Sequence, residues 1–146
     1  MKSIGIIGGI KEQKRAFIKF FKLGPFGERL AIRYLIKNGY WICKANWRTR
    51  IGEIDIIAGK NRVLYFFEVK TRRSSVQSIY PGRDAIISAK IKRVKRLIGI
   101  FVDEERAVVR RGRIKGIKFN LIEITVRDSI LGRYLLPAKV RFLEVF

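Results

Sequence analysis

Four ionisable residues lie in two stretches that otherwise read as β-strands. Residues 51 to 58 are Ile-Gly-Glu-Ile-Asp-Ile-Ile-Ala and residues 63 to 70 are Val-Leu-Tyr-Phe-Phe-Glu-Val-Lys, both rich in the β-branched and aromatic residues that strands favour. Side chains alternate across a strand, so Glu53 and Asp55 should share one face of the first, and Glu68 and Lys70 one face of the second. Charges in such strands are costly unless they pair, bind a metal or face a cleft. Gly59-Lys60-Asn61-Arg62 reads as a hairpin turn, which brings Asp55 and Glu68 to neighbouring positions on adjacent strands. Two adjacent carboxylates make a hard oxygen pocket suited to Mg²⁺ or Mn²⁺, ions that keep waters for a phosphate and a nucleophile. Lys70 beside such a pocket would orient or deprotonate the attacking water, or neutralise charge on the phosphorane. A lone Glu-X-Lys is as readily an ion pair at a solvated strand edge. The weight falls on the combination.

Composition narrows the chemistry further. The chain has no His, which removes imidazole bases, Ser-His-Asp triads and His-based zinc sites. Cys43 is the single cysteine; it can form no internal disulfide and reads as a small buried hydrophobe in a reducing compartment. Against 33 Lys and Arg stand 12 Asp and Glu, a net charge of +21, which points first to nucleic acid and second to an anionic membrane surface. The apolar run Ile4 to Ile10 is short and Gly-rich, ends in Lys11-Glu12 without a cleavage-like site, and nothing else approaches a membrane span. The expectation is a cytoplasmic protein without stable membrane insertion.

The elements that would position these residues follow from periodicity. Residues 11 to 23 make a basic amphipathic helix with Phe17, Phe20 and Phe21 on one face, read first as docking on the domain's own core and otherwise as a membrane or nucleic-acid arm. Gly24-Pro25-Phe26-Gly27 breaks it, and a second helix is expected from near Glu28, with Leu30, Ala31, Tyr34 and Leu35 inward, up to Asn38-Gly39. Glu28 then falls in a first turn. Tyr40 to Asn46 precedes the two acidic strands as another strand. Residues 71 to 85 read as a polar loop. A long helix capped by Ser88 follows, with Ile87, Ile91, Val94, Ile98 and Phe101 inward and Lys90, Lys92, Arg93, Lys95 and Arg96 outward. After a charged connection over 104 to 116, Ile117 to Val126 alternates as a strand, and Tyr134 to Phe146 adds an extended tail.

In that order the motifs resemble a known family. Gly27-Glu28-Arg29-Leu30-Ala31, Tyr34-Leu35, Asn38-Gly39-Tyr40, Gly52-Glu53-Ile54-Asp55-Ile56-Ile57-Ala58 and Phe67-Glu68-Val69-Lys70-Thr71-Arg72 resemble the YraN family of predicted endonucleases, itself similar to archaeal Holliday-junction resolvases of the PD-(D/E)XK superfamily. The ordered set, over roughly residues 24 to 126, is far more specific than any one motif. The resemblance implies that Asp55 and Glu68 are metal-binding acids, Lys70 the motif lysine, Glu28 a helix-borne acid completing the metal shell and Glu53 a further ligand or supporting acid. It also implies phosphate contacts from Asn46, Arg48 and Arg72. Lys90 matches a lysine opening the long helix, with Lys92 near enough to leave the register open, and Arg93 belongs to the same basic face. The chain departs from the pattern at Lys118-Phe119-Asn120, where relatives carry Arg-Phe-Asp, which puts any ionic role there in doubt.

The expected fold is α/β, restriction-endonuclease-like: a central mixed sheet of four to five strands with helices on both faces, in order α-β-β-β-α-β. Residues 1–23 read as an N-terminal extension and 24–146 as the nuclease-like domain. The expected activity is Mg²⁺- or Mn²⁺-dependent hydrolysis of phosphodiesters, with DNA favoured over RNA, and the resolvase resemblance implies branched DNA and a homodimer. Two rivals share the charge: a non-catalytic nucleic-acid-binding protein, and a membrane-surface or partner-binding protein acting through the Phe-rich helix.

Overall fold

The computed structural model describes residues 3–4, 23–73, 83–128 and 135–146. Strand β1 (Ser3–Ile4) precedes helix α1 (Leu23–Lys37); β2 (Trp41–Thr49), β3 (Gly52–Lys60) and β4 (Val63–Arg73) then run as a meander. Helix α2 (Arg83–Glu104), the short α3 (Arg106–Arg111), β5 (Gly116–Asp128) and β6 (Leu135–Glu144) complete the chain. The sheet order is β1-β6-β5-β4-β3-β2. Only the β4–β5 pair among these is parallel, because α2 and α3 carry the chain back across one face before β5 begins. The expected mixed sheet with helices on both faces is therefore present, and the two-residue β1 lengthens its far edge.

Two apolar layers sandwich the sheet. Phe26, Leu30, Ala31 and Leu35 of α1 pack on Ile56, Ala58, Phe67, Val69, Ile122, Ile124, Val126 and Val140. On the opposite face Val94, Leu97, Ile98 and Phe101 of α2 pack on Ile54, Ile57, Leu64, Phe66 and Phe119. The spacing 94, 97, 98, 101 is the i, i+3, i+4, i+7 stripe of an amphipathic helix, while Lys92, Arg93, Lys95 and Arg96 stay exposed. Strands β3 and β4 are apolar on both faces because both are covered.

Several boundaries differ from the sequence reading. Helix α1 starts at Leu23 and takes in Gly24-Pro25-Phe26-Gly27, with no acid in its first turn. Proline is tolerated there, since the N–H it lacks would have no helical acceptor. Gly27 is buried in α1 because a Cβ would overlap the Thr71 hydroxyl of β4, so the glycine permits close packing and does not stop the helix. Helix α2 begins at Arg83, and Ser88 lies within it, so it is not the cap. The hairpin turn is Asn61-Arg62, both at positive φ (52° and 63°), the type I′ geometry that suits strand twist; Gly59 and Lys60 belong to β3. Strand β4 extends to Arg73, and the rest of the expected 71–85 loop up to residue 82 lies outside the described residues, as does nearly all of the Phe-rich 11–23 helix. Among the described residues no helix is long and apolar enough to cross a membrane.

Candidate functional site

The sheet forks at Asp55. Strands β3 and β4 pair from Lys60↔Val63 to Ile56↔Phe67 and no further. One step beyond, where Asp55 would face Glu68, the Val69 N–H donates to Asp55 Oδ2 at 2.7 Å. A side-chain carboxylate has taken the acceptor role of a strand carbonyl. On the other side Ala45 and Trp47 pair with Ile56 and Ile54, leaving Asn46 opposite Asp55 with φ at 52°. The pleat breaks at the same place: Ile54 and Ile57, an odd number of residues apart, both pack toward α2, whereas Ile56 and Ala58 pack toward α1. Regular alternation would have put Ile54 and Ile56 on one face. Irregular pairing and a left-handed Asn beside an acid are typical of strands bent to aim a side chain.

Glu68 sits on the next strand with two ammonium groups on one oxygen. Lys70 Nζ lies 2.7 Å and Lys90 Nζ 2.6 Å from Glu68 Oε1, and the Glu68 side chain is only 17% exposed. Burial alone would raise the Glu68 pKa, but Lys70 and Lys90 outweigh it and hold the carboxyl below its ordinary value. Asp55 goes the other way. Burial lifts its pKa to about 6, against the lowering effect of the Val69 N–H and Lys70, with Glu68 and Glu28 adding repulsion. A half-buried acid with two other carboxylates acting on it holds its proton to a higher pH than usual.

Asp55 and Glu68 thus supply two hard oxygen donors, and Mg²⁺ or Mn²⁺ commonly bind through one or two carboxylates plus water and phosphate. The donor chemistry fits such an ion. Among the described residues no three His, Cys, Asp or Glu are arranged to hold a metal. Glu28 acts on Asp55 through its charge, and Glu53 is drawn to Arg48, 3.0 Å away, on the exposed surface. Of the four expected acids, Glu68 and Glu28 both act on Asp55 through their charge, while Glu53 pairs with Arg48.

A cleft of about 810 Å³ opens beside Glu68. It lies between the β2–β3 turn and α2 and is lined by Arg48, Arg50, Ile51, Glu53, Glu68, Lys90 and Arg93, among others. Of the residues expected to touch phosphate, Arg48, Lys90 and Arg93 border this cleft, whereas Asn46 and Arg72 are not in its lining. Of the two lysines at the head of the long helix, Lys90 contacts Glu68, while Lys92 is exposed. Arg50 and Thr49 on the turn belong to the cleft and had no sequence signal beyond the basic run Arg48-Thr49-Arg50. At the departure from the resemblance, Asn120 is buried across from Phe67, where a neutral amide is cheaper than an acid, and Lys118 pairs with Glu144 at 2.8 Å.

Comparison with known proteins matches residues 27–124 to a model described as "Uncharacterised protein family UPF0102". A UPF0102 protein of Alkaliphilus metalliredigens is 38% identical over 105 residues, covering 71% of this chain and 85% of that protein. One from Clostridioides difficile strain 630 is 33% identical over 120 residues, 82% and 91% of the two chains. A third, from Caldicellulosiruptor bescii, reaches 55% over 53 residues, 36% of this chain and 44% of that relative.

Proposed function

This chain belongs to the UPF0102 family, that of the YraN proteins, and from that premise we propose that it is a divalent-metal-dependent nuclease that hydrolyses phosphodiester bonds. The observation that carries the reading is the pairing of a half-buried Asp55, its pKa lifted to about 6, with a Glu68 locked by Lys70 and Lys90 beside a cation-lined cleft. Asp55 and Glu68 would hold Mg²⁺ or Mn²⁺. When bound, that ion supplies Lewis-acid activation of a water and of the scissile phosphate. The Val69 N–H fixes the Asp55 carboxylate, so the acid needs little reorganisation on binding a cation. Lys70 lies beside Glu68, placed to meet charge that grows on phosphate oxygens in the transition state. Lys90 holds Glu68 ionised and offers a second positive charge to the same phosphate, while Arg48 and Arg93 at the cleft border bind flanking phosphates.

Branched DNA and a homodimer presenting two sites follow from the resolvase resemblance. The test is a cleavage panel of junctions, forks, continuous duplexes and single strands, with Mg²⁺, Mn²⁺ or chelator. Metal-dependent scission that Asp55→Asn eliminates is the expected result. Binding without scission on every substrate would leave a nucleic-acid-binding protein, and light scattering of the same preparation reads the oligomeric state.

A further inference from the structure

A hydrophobic side chain stands at the mouth of the cleft among guanidinium groups. Ile51 is 45% exposed and lines the cleft with Arg48, Arg50, Lys90 and Arg93. It occupies the Arg50-Ile51 turn between β2 and β3, and that turn is held firmly. The Thr49 hydroxyl donates to the Gly52 carbonyl at 3.2 Å and accepts the Ile51 N–H at 3.2 Å. Gly52 rests on α2 so closely that a Cβ would lie 3.3 Å from Leu97 Cδ1 and 3.5 Å from Arg93 Cδ. The core behind the turn is already closed by Ile54, Val94 and Leu97. Ile51 is therefore presented outward at the tip of the turn.

We propose that Ile51 is a wedge that enters a break in base stacking of DNA bound in the cleft, an inference that rests on the nucleic-acid reading of that site. Its preferred substrate is a duplex at the point where its strands part, as at a fork. The surrounding cations choose the occupant: Arg48 and Arg50 on one side and Lys90 and Arg93 on the other fit phosphates flanking a base step, whereas a second copy of a +21 chain is repelled from this face. The apolar branch then meets base faces, which are broad and apolar. Magnitude sets the preference for a fork. Burying one isoleucine recovers less than opening an intact stacked step costs, so the wedge gains where stacking is already broken.

The experiment uses full-length protein in EDTA with a DNA fork carrying 2-aminopurine at the first base pair of the branch, beside a continuous duplex of the same sequence. Wild type should bind the fork more tightly than the duplex and brighten the probe. Ile51→Ala should lose the brightening and weaken fork binding by about tenfold, the scale of one buried aliphatic anchor, with duplex binding unchanged; Ile51→Leu should restore both. Equal wild-type affinity for fork and duplex, no binding, a dark wild-type probe or an unaltered Ile51→Ala would each overturn the proposal. The readout involves no cleavage, so an inactive protein with a bright fork removes the nuclease reading and keeps the wedge. An active one with a dark fork does the reverse.

Discussion

Asp55 and Glu68 are the same kind of acid one strand apart, yet their surroundings push their titrations in opposite directions. Asp55 has a folded pKa raised from 3.8 to about 6, chiefly by burial. The native state therefore binds this proton more tightly than the unfolded chain, and the stability it contributes is full below about pH 4 and is lost as pH rises through about 6. Asp55→Asn keeps a side-chain oxygen for the Val69 N–H and removes the buried charge. The metal-free variant should melt higher than wild type at pH 7.5 and lose that advantage near pH 4, read by thermal denaturation in chelator. The same substitution should abolish cleavage and leave metal-free DNA affinity unchanged or tighter, since it removes a negative charge that repels phosphate; wild-type cleavage by Asp55→Asn would move the chemistry elsewhere. Glu68 obeys the opposite sign. Its depressed pKa contributes stability present above the unfolded value of 4.5 and lost as pH falls through the lower folded one. Lys90→Ala takes away one of its two ammonium partners, so the Glu68 carboxyl itself should titrate at higher pH, read by carboxyl-carbon NMR of the metal-free protein, while an unmoved titration would deny Lys90 any hold on Glu68.

At the scale of elements, the contact that sets the position of Glu28 is Gly27 of α1 against Thr71 of β4. A side chain at Gly27 meets the Thr71 hydroxyl and Cβ, and neither backbone can retreat from a helix packed on a fully covered sheet. Gly27→Ala should destabilise the fold by about 1–3 kcal/mol, the usual cost of overpacking, measured by urea denaturation. Trimming the neighbour in Gly27→Ala/Thr71→Ala should recover part of that loss, because the two residues share one space. Strictly additive effects would show that the helix avoids the clash by moving. Much of this element is legible in the sequence: the stripe Leu30, Ala31, Tyr34, Leu35 marks its inward face. Its start at Leu23 is not legible there, because Gly24-Pro25-Phe26-Gly27 looks like a stop and the reason for Gly27 lies on a strand more than forty residues away.

For the whole molecule, charge dominates. A net charge of +21 and a cleft bordered by Arg48, Arg50, Lys90 and Arg93 should make nucleic-acid binding steeply salt-dependent and largely independent of sequence, because each phosphate contact releases counterions. Fluorescence anisotropy across a salt series should give a linear log–log plot. Arg93→Ala should reduce its slope by about one unit, the loss of a single phosphate contact, while weakening all sequences alike. Affinity that hardly responds to salt would contradict electrostatic docking. Arg48 is the informative comparison, since it also pairs with Glu53 at 3.0 Å; Arg48→Ala should cost less than Arg93→Ala if that pair persists in the complex.

The sequence alone determined the parts that rest on local periodicity. Residues 3.6 to a turn mark the buried stripe of α1 and, at Val94, Ile98 and Phe101 though not Leu97, that of α2, and the turn signal in Gly59-Lys60-Asn61-Arg62 sets β3 against β4 so that Asp55 reaches the strand bearing Glu68 and Lys70. Such features involve residues a few positions apart or joined by one tight turn, and backbone geometry leaves them few alternatives. Tertiary structure decided the rest. The pleat break at Asp55, the parallel placement of β5 beside β4 and the pairing of Glu53 with Arg48 apart from the other acids depend on how separate elements pack. So does Lys90 on Glu68: the two are brought to 2.6 Å only because α2 crosses the sheet at one particular height. No pattern along the chain encodes that height; it is fixed by how Val94, Leu97, Ile98 and Phe101 fit the side chains of β3 and β4 beneath them.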